Sequence, residues 1–199
     1  MIAGPTLGAK YGIPFLFNIT ALLAIISIAI LYLKVPNPPK VEHFEEASKI
    51  SEVFKNRELL KIYFSGFMQK GMMTIIFFLT PIIFVNELHW DKFELWKVYL
   101  PALVIGIFAM PFGAIIAEKK GKPKLMFLLS AIFMVSSVIA FLLKFYIMGV
   151  ILFFFGFNLL EPVLQSFTGK IAKIHEKATA MSIGNSIQYL GIFLGGMVA

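Results

Sequence analysis

Cysteine is absent from this chain of 199 residues, and arginine occurs once, as Arg57. Without cysteine there is no disulfide, no thiolate metal ligand and no cysteine nucleophile. The sequence also lacks a glycine-rich phosphate-binding loop, and its three histidines, His43, His89 and His175, fall in polar segments without ligand-like neighbours. We therefore predict no enzyme activity, no catalytic residue, no cofactor and no metal site.

Charged residues are scarce in six long apolar stretches. Hydrophobic residues make up 59% of the chain, phenylalanine occurs 22 times, and the mean hydropathy is +0.85. Each stretch is close to the roughly 20 residues that an α-helix needs to cross a bilayer core of about 30 Å. The stretches are 13–33, 60–86, 98–117, 125–143, 147–169 and 179–199. The sequence therefore predicts an all-α fold, a polytopic helical membrane protein.

The net charge of +7 is distributed between the loops in a way that argues against nucleic-acid binding. Alternate loops, 34–61, 118–124 and 170–178, hold 13 of the 18 Lys and Arg residues, the intervening segments hold four, and Lys70 lies inside a span. Because cytoplasmic loops are rich in Lys and Arg, these three loops are predicted to be cytoplasmic. We expect a multi-pass protein of a bacterial cytoplasmic membrane, surrounded by lipid and without a nucleic-acid partner.

Two ionisable residues, Lys70 and Glu161, lie inside predicted spans. At a rise of 1.5 Å per residue, each lies roughly 15 Å from the cytoplasmic end of its helix. Ionisable groups at such depth are costly and are functional candidates. Glu161 is a candidate proton carrier, or alternatively a structural carboxylate bonded to its neighbours. Lys70 is a candidate partner of Glu161 or an anion contact, or alternatively a lysine whose stem reaches toward a membrane face.

Further polar residues accompany this charged pair. Asn158, Gln165 and Thr168 share a helix face with Glu161, and Gln69 lies on the other charged span. Because a polar stripe is disfavoured against lipid, we expect this face to look into the bundle or a cavity. The predicted proton and substrate pathway consists of Glu161, Lys70, Asn158, Gln165 and Gln69.

Local patterns occur in an order that resembles the major facilitator superfamily of secondary transporters. The run Gly4-Pro5-Thr6-Leu7-Gly8 resembles the Gly-Pro motif of its proton-coupled antiporters. The run Glu118-Lys119-Lys120-Gly121-Lys122-Pro123-Lys124 resembles the second-half copy of its acidic–basic loop motif, with Glu118 where Asp is usual and Ala114 where Gly is usual. The chain also resembles the YajR-like branch of drug/proton antiporters, in segments 96–101, 117–120, 158–161 and 179–181.

The resemblance implies roles for two of these motifs. It implies an antiporter motif at the end of helix five, formed by Gly4, Pro5 and Gly8. It also implies a gating motif between helices eight and nine, whose acid meets a helix N-terminus in one state. That gating motif is formed by Glu118, Lys119, Gly121 and Lys124.

The resemblance further implies where the chain lies in the fold, namely in the C-terminal half-bundle. Residues 1–34 would hold the end of helix five and helix six, 35–59 the cytoplasmic loop between bundles, and 60–199 helices seven to eleven. Because about half the spans cannot form a two-bundle path alone, a missing N-terminal half and a twelfth helix of the same transporter are implied as partners.

The function implied by the resemblance is secondary active transport. The expected activity is proton-coupled efflux of small amphipathic compounds, so protons and a small-molecule substrate are expected partners. An uptake symporter of the same fold is one alternative, and a membrane assembly subunit that transports nothing is another. A carboxylate near the membrane midplane favours transport, since assembly has no need of one.

Overall fold

The computed structural model describes residues 11–36 and 50–199. This part of the chain is helical and contains no strand. Its helices are α1 (Ile13–Lys34), α2 (Ile50–Lys55), α3 (Arg57–Asn86), α4 (Trp96–Glu118), α5 (Pro123–Leu142), α6 (Tyr146–Ile171) and α7 (Lys177–Val198), with short 3-10 turns at Lys92–Glu94 and Ile174–Glu176. The all-α class predicted from the sequence is confirmed.

Five helical segments of the described chain are long and apolar enough to cross a membrane. They are α1, α3, residues 92–118 including α4, α5 and α6. They correspond to five of the six predicted stretches. The sixth stretch forms α7, which is not among them. Polar residues such as Asn185 and Gln188, together with four glycines, make α7 less apolar than α4, α5 and α6.

The chain divides into two compact units, residues 1–45 and 46–199. In the first unit, α1 begins with Pro14 in its first turn, where the missing N–H of proline has no helical acceptor to lose. The helix ends at Lys34, because Val35 is extended, as is usual for a residue before proline. The three-part division implied by the resemblance stays a prediction.

In the second unit, α3 is the longest helix, with 30 residues. Asn56 caps it, since its Oδ1 accepts the backbone N–H groups of Glu58 and Leu59 at 3.1 and 3.4 Å. At 1.5 Å per residue, α3 is about 45 Å long, which is roughly 15 Å more than a bilayer core. Its charged first turn is therefore expected at a membrane surface.

The central helix of the second unit is α6, which packs against α3, α4, α5 and α7. Buried side chains form one cluster around Phe84 and Phe153 and a second cluster around Leu159. Lys70 lies between the two clusters on α3, and Glu161 faces it from α6. The helix packing therefore positions the two charged residues predicted to lie inside the membrane.

Candidate functional site

Lys70 and Glu161 form an ion pair between α3 and α6. The Nζ of Lys70 lies 3.0 Å from Oε1 and 3.1 Å from Oε2 of Glu161. Their side chains are only 16% and 25% exposed. Because a charge out of water is stable only when it is paired, each residue offsets the desolvation of the other. The structure thus joins in one site two residues that the sequence marked, from their similar depth, as candidate partners.

An aromatic ring and a proline shape the surroundings of the pair. Lys70 Nζ lies 4.8 Å from the ring centroid of Phe157, within the range of a cation–π contact. Phe157 precedes Glu161 by one helical turn, so ring and carboxylate face the same ammonium. Pro162 has no N–H to donate to the carbonyl of Asn158, so the backbone ladder of α6 lacks a bond beside the pair.

Gln69 and Asn158 are buried, and each lies within one helical turn of a member of the ion pair. Gln69 is 1% exposed and donates from Nε2 to the carbonyl of Phe157 at 2.8 Å. Asn158 donates from Nδ2 to the carbonyl of Phe154 at 2.8 Å. The hydrogen bond of Gln69 therefore links α3 to α6, whereas the hydrogen bond of Asn158 lies within α6. Across residues 11–36 and 50–199, Oε1 of Gln69 finds no hydrogen-bond partner, which leaves a buried acceptor beside the ion pair.

The polar stripe along α6 does not form one continuous surface. Thr168 is buried and donates to the carbonyl of Leu164 at 2.8 Å, and Asn158 likewise bonds its own helix. Gln165 is exposed. Of the four stripe residues, Glu161 reaches a charged group on another helix. A pathway role for Gln165 stays a prediction.

Glu118 joins the end of α4 to the end of α6. The hydroxyl of Ser166 donates to Oε1 of Glu118, and Nζ of Lys170 lies 3.5 Å from the same oxygen. Ser166 and Lys170 are one turn apart on α6, so both reach one carboxylate. They stand near the C-terminus of α6, where the helix dipole disfavours an anion. Side chains therefore supply the attraction here, in place of the helix N-terminus that the resemblance implies.

The other motif residues fall in two regions. Lys119, Gly121 and Lys124 lie around the turn between α4 and α5, where both lysines are exposed. Gly121 has a φ of +62°, a left-handed conformation that glycine adopts without strain and that reverses the chain. The antiporter-motif residues lie outside the described part of the chain; they are Gly4, Pro5 and Gly8.

A carboxylate cluster at the loop before α7 corrects the expectation that the histidines lack ligand-like neighbours. Possible ligand atoms of Glu52, His175 and Glu176 all lie within 4.8 Å of one another. The sequence does not reveal that the three residues are close together, because Glu52 is distant from the other two along the chain. Glu176 Oε1 already lies 3.3 Å from Nζ of Lys173 and 3.6 Å from Nε2 of His175. We therefore interpret the cluster as a loop anchor and assign no metal to it.

The charge on this anchor is stabilised by its neighbours. Burial of Glu176 disfavours its ionised form, but the nearby ammonium of Lys173 and smaller contributions from Glu52 and His175 outweigh burial. The pKa of the Glu176 carboxyl therefore lies below its ordinary value of 4.5. The anchor is thus ionised at neutral pH.

Three residues that link helix ends were not predicted from the sequence. Ser166 and Lys170 were not identified as partners of Glu118, and Tyr146 was not identified at all. The hydroxyl of Tyr146 donates to Oε2 of Glu87, which links the start of α6 to the end of α3. The sequence offered one clue to these contacts: the two partners of each contact lie on the same predicted side of the membrane.

Known proteins resemble the chain over nearly its whole length. The family model of the Major Facilitator Superfamily matches residues 1–196. The inner membrane transport protein YajR of Escherichia coli (strain K12) is 30% identical over 205 residues, which cover 98% of this chain and 45% of that protein. An uncharacterized transporter of Buchnera aphidicola subsp. Acyrthosiphon pisum is 27% identical over 208 residues, covering 98% and 52%. The chain thus spans about half the length of the curated relatives it matches.

The family match agrees with the helical architecture and with the resemblance in the motifs. Five segments of the described chain are suited to cross a bilayer, and the matched relatives are transport proteins by name. The prediction of the family and of its YajR-like branch is confirmed. This multi-pass membrane chain belongs to the major facilitator superfamily.

Proposed function

We propose that the chain forms part of a proton-coupled secondary transporter of a bacterial cytoplasmic membrane, which exports small amphipathic compounds. The observation that carries the proposal is the Lys70–Glu161 ion pair, 3.0 Å long and mostly shielded from water. A carboxylate at this depth can carry a proton between the two sides of a membrane. Transporter relatives and the family match support transport as the class of function, in preference to an enzyme.

Glu161 offers a simple route to exchange. Its carboxylate can be neutralised by a proton or held by a cationic group of a substrate, but both cannot occupy it together. Binding of one therefore releases the other, which is the requirement for antiport. Protonation would also remove the charge that holds Lys70, so it would loosen the contact between α3 and α6.

The side chains near the pair suit adaptable apolar binding. Phe157 contacts Lys70, and Met72 and Met73 on the following turn of α3 are partly buried against the Phe153 cluster. Methionine and phenylalanine can accommodate varied apolar shapes, because their contacts need no fixed hydrogen-bond geometry. An amphipathic cation would place its charge at Glu161 and its apolar body against these side chains.

The alternative of uptake by symport uses the same pair differently. If protonated Glu161 releases Lys70, the ammonium becomes available to an anionic or acceptor group of a substrate. Proton and substrate would then bind together and move in the same direction. A membrane assembly subunit, the third possibility, would move neither.

The direction of coupling can be tested in liposomes that contain the purified complete transporter that includes this chain. A pH gradient is imposed, and the movement of a permanently charged quaternary ammonium dye is followed by fluorescence. Such a dye cannot follow the gradient by losing its own proton, so its movement reports the protein. We expect the dye to accumulate on the acidic side and a protonophore to abolish the effect.

Each other outcome would contradict proton-coupled efflux. Accumulation of the dye on the alkaline side would indicate symport. Movement no faster than in protein-free liposomes, for a panel of such dyes and for anionic amphipathic dyes, would favour the assembly subunit. Movement that ignores the pH gradient would indicate transport without proton coupling.

A further inference from the structure

A groove opens between the first turns of α3 and α5 and the last turns of α6. Its volume is about 410 Å³, within the range of roughly 300–1,000 Å³ usual for small-molecule sites. Its floor is apolar, and its rim carries two lysines and one glutamate. The floor is formed by Ile62, Phe127, Phe167 and Ile171, and the charged rim residues are Lys61, Lys124 and Glu58.

The groove and its surroundings carry more positive than negative charge. Lys61 pairs with Glu58, whose Oε1 lies 2.7 Å from the Nζ of Lys61, and Lys124 also attracts this carboxylate electrostatically. Lys119, Lys120 and Lys122 precede Lys124 along the chain and leave an excess of positive charge. Lys170 lies 5.9 Å from the ring centroid of Phe167 and is held by Glu118 at 3.5 Å. The rim therefore suits an anion and the floor suits hydrocarbon.

The start of α5 adds to the attraction for an anion. The N-cap residue, Lys122, makes no capping hydrogen bond from its side chain, and Pro123 occupies the first turn. Backbone N–H groups at an uncapped helix N-terminus attract anions, and the helix dipole acts in the same direction. This feature supports the charge pattern of the groove, which is the main observation.

The groove also lies at the expected depth for a lipid. The first turn of α3 is expected at a membrane surface, because the helix is about 15 Å longer than a bilayer core. The loop with four lysines is predicted to be cytoplasmic. Basic pockets between membrane helices on the cytoplasmic side bind anionic lipid head groups.

We propose that this groove binds an anionic phospholipid of the cytoplasmic leaflet. Its phosphate would lie near Lys124 and the N-terminus of α5, and the first part of an acyl chain would lie on Phe127 and Phe167. The apolar floor distinguishes such a lipid from inorganic phosphate, which has no apolar portion to bury. The site is separate from the Lys70–Glu161 pair, so it does not depend on the transport mechanism.

Lipid binding can be tested by native mass spectrometry of the purified protein with added phosphatidylglycerol or phosphatidylcholine. We expect selective retention of phosphatidylglycerol. The double variant Lys61→Gln with Lys124→Gln should weaken its binding about thirtyfold, which is about 2 kcal/mol at 1.4 kcal/mol per tenfold. The matched control, Lys92→Gln with Lys144→Gln, removes the same charge from two exposed loop lysines elsewhere and should leave binding unchanged.

Three results would overturn the proposal. Equal retention of the two lipids would remove the preference for an anion. Equal loss in the groove variant and in the control variant would show that general surface charge is responsible. Displacement of phosphatidylglycerol by an equal concentration of inorganic phosphate would identify a phosphate site without a role for the apolar floor.

Discussion

At the scale of single residues, the Lys70–Glu161 contact is a balance of two desolvated charges. Removing one partner leaves the other charge buried and uncompensated, which costs about 3–5 kcal/mol. We therefore expect Lys70→Met and Glu161→Gln each to lower the free energy of unfolding, measured by detergent titration. The double variant should recover most of the loss from Lys70→Met, because no unpaired charge is left. Additive losses would show that the two side chains do not depend on each other.

Glu118 belongs to a different class of contact, because its carboxylate is exposed. Its ion pair with Lys170 joins side chains that are 44% and 54% exposed, and such pairs contribute about 0–1 kcal/mol. We expect Glu118→Gln to change stability little but to alter transport turnover, since the contact joins the ends of α4 and α6. Initial rates measured over a range of dye concentrations would show a lower maximal rate with a nearly unchanged half-saturating concentration.

The matched control for this prediction is Glu94→Gln. Glu94 is equally exposed at 44% and is also paired with a lysine, but its partner Lys97 lies one turn away in the same segment. It joins no second helix, so turnover should be normal. If both variants transport at the wild-type rate, or if Glu118→Gln weakens apparent affinity instead, the gating role is wrong.

The sequence predicted the charged residues of the site better than it predicted the polar ones. Lys70 and Glu161 were found from depth alone, because few charges occur inside spans. Asn158 and Gln69 looked alike as pathway candidates, although their side chains bond carbonyls of α6. Which carbonyl an amide can reach depends on helix rotation and crossing, and neither follows from the spacing of polar residues.

At the scale of elements, α3 and α7 approach closely through glycine. A Cβ built on Gly191 would lie 2.3 Å from the carbonyl oxygen of Phe67, a backbone atom that cannot move aside without moving the helix. Gly191→Ala should therefore destabilise the protein by about 1–3 kcal/mol through overpacking. The measurement is the free energy of unfolding in detergent.

Gly196 supplies the control on the same helix. A Cβ there would lie 3.6 Å from the methyl group of Thr74, an ordinary contact. Gly196→Ala should be neutral or should stabilise by up to about 1 kcal/mol, because alanine favours the helix. Equal effects of the two substitutions on the free energy of unfolding would contradict the close approach of α3 and α7 at Gly191.

The elements themselves were largely predictable, because a span requires a long uncharged run. Helices α4, α5 and α6 each begin within two residues of the predicted stretch. The start of α3 was harder, since Asn56 begins the helix in a polar segment that hydrophobicity does not mark. α7 is not among the apolar spans because glycine and polar residues take the place of large apolar ones. The same small residues let it pack closely against α3.

At the scale of the whole molecule, the lysine distribution predicts the orientation in the membrane. A single cysteine introduced at Lys122 should react with an impermeant thiol reagent only from the cytoplasmic side, and one at Asp91 only from the outside. The absence of native cysteine removes background labelling. Reaction of the Lys122 cysteine from outside, in sealed right-side-out vesicles, would contradict the orientation and with it the cytoplasmic position of the lipid groove.

The most direct test of the central claim compares uphill transport with exchange in liposomes that contain the Glu161→Gln variant. If Glu161 is the proton carrier, the variant should lose uphill movement of the quaternary dye under a pH gradient. Exchange of dye without a gradient should be weaker, because glutamine cannot hold the charge of the dye, and the remaining exchange should no longer depend on pH. Glu94→Gln should retain both activities. Uphill transport by Glu161→Gln with an unchanged pH profile would contradict the claim and would leave Glu161 as a structural partner of Lys70.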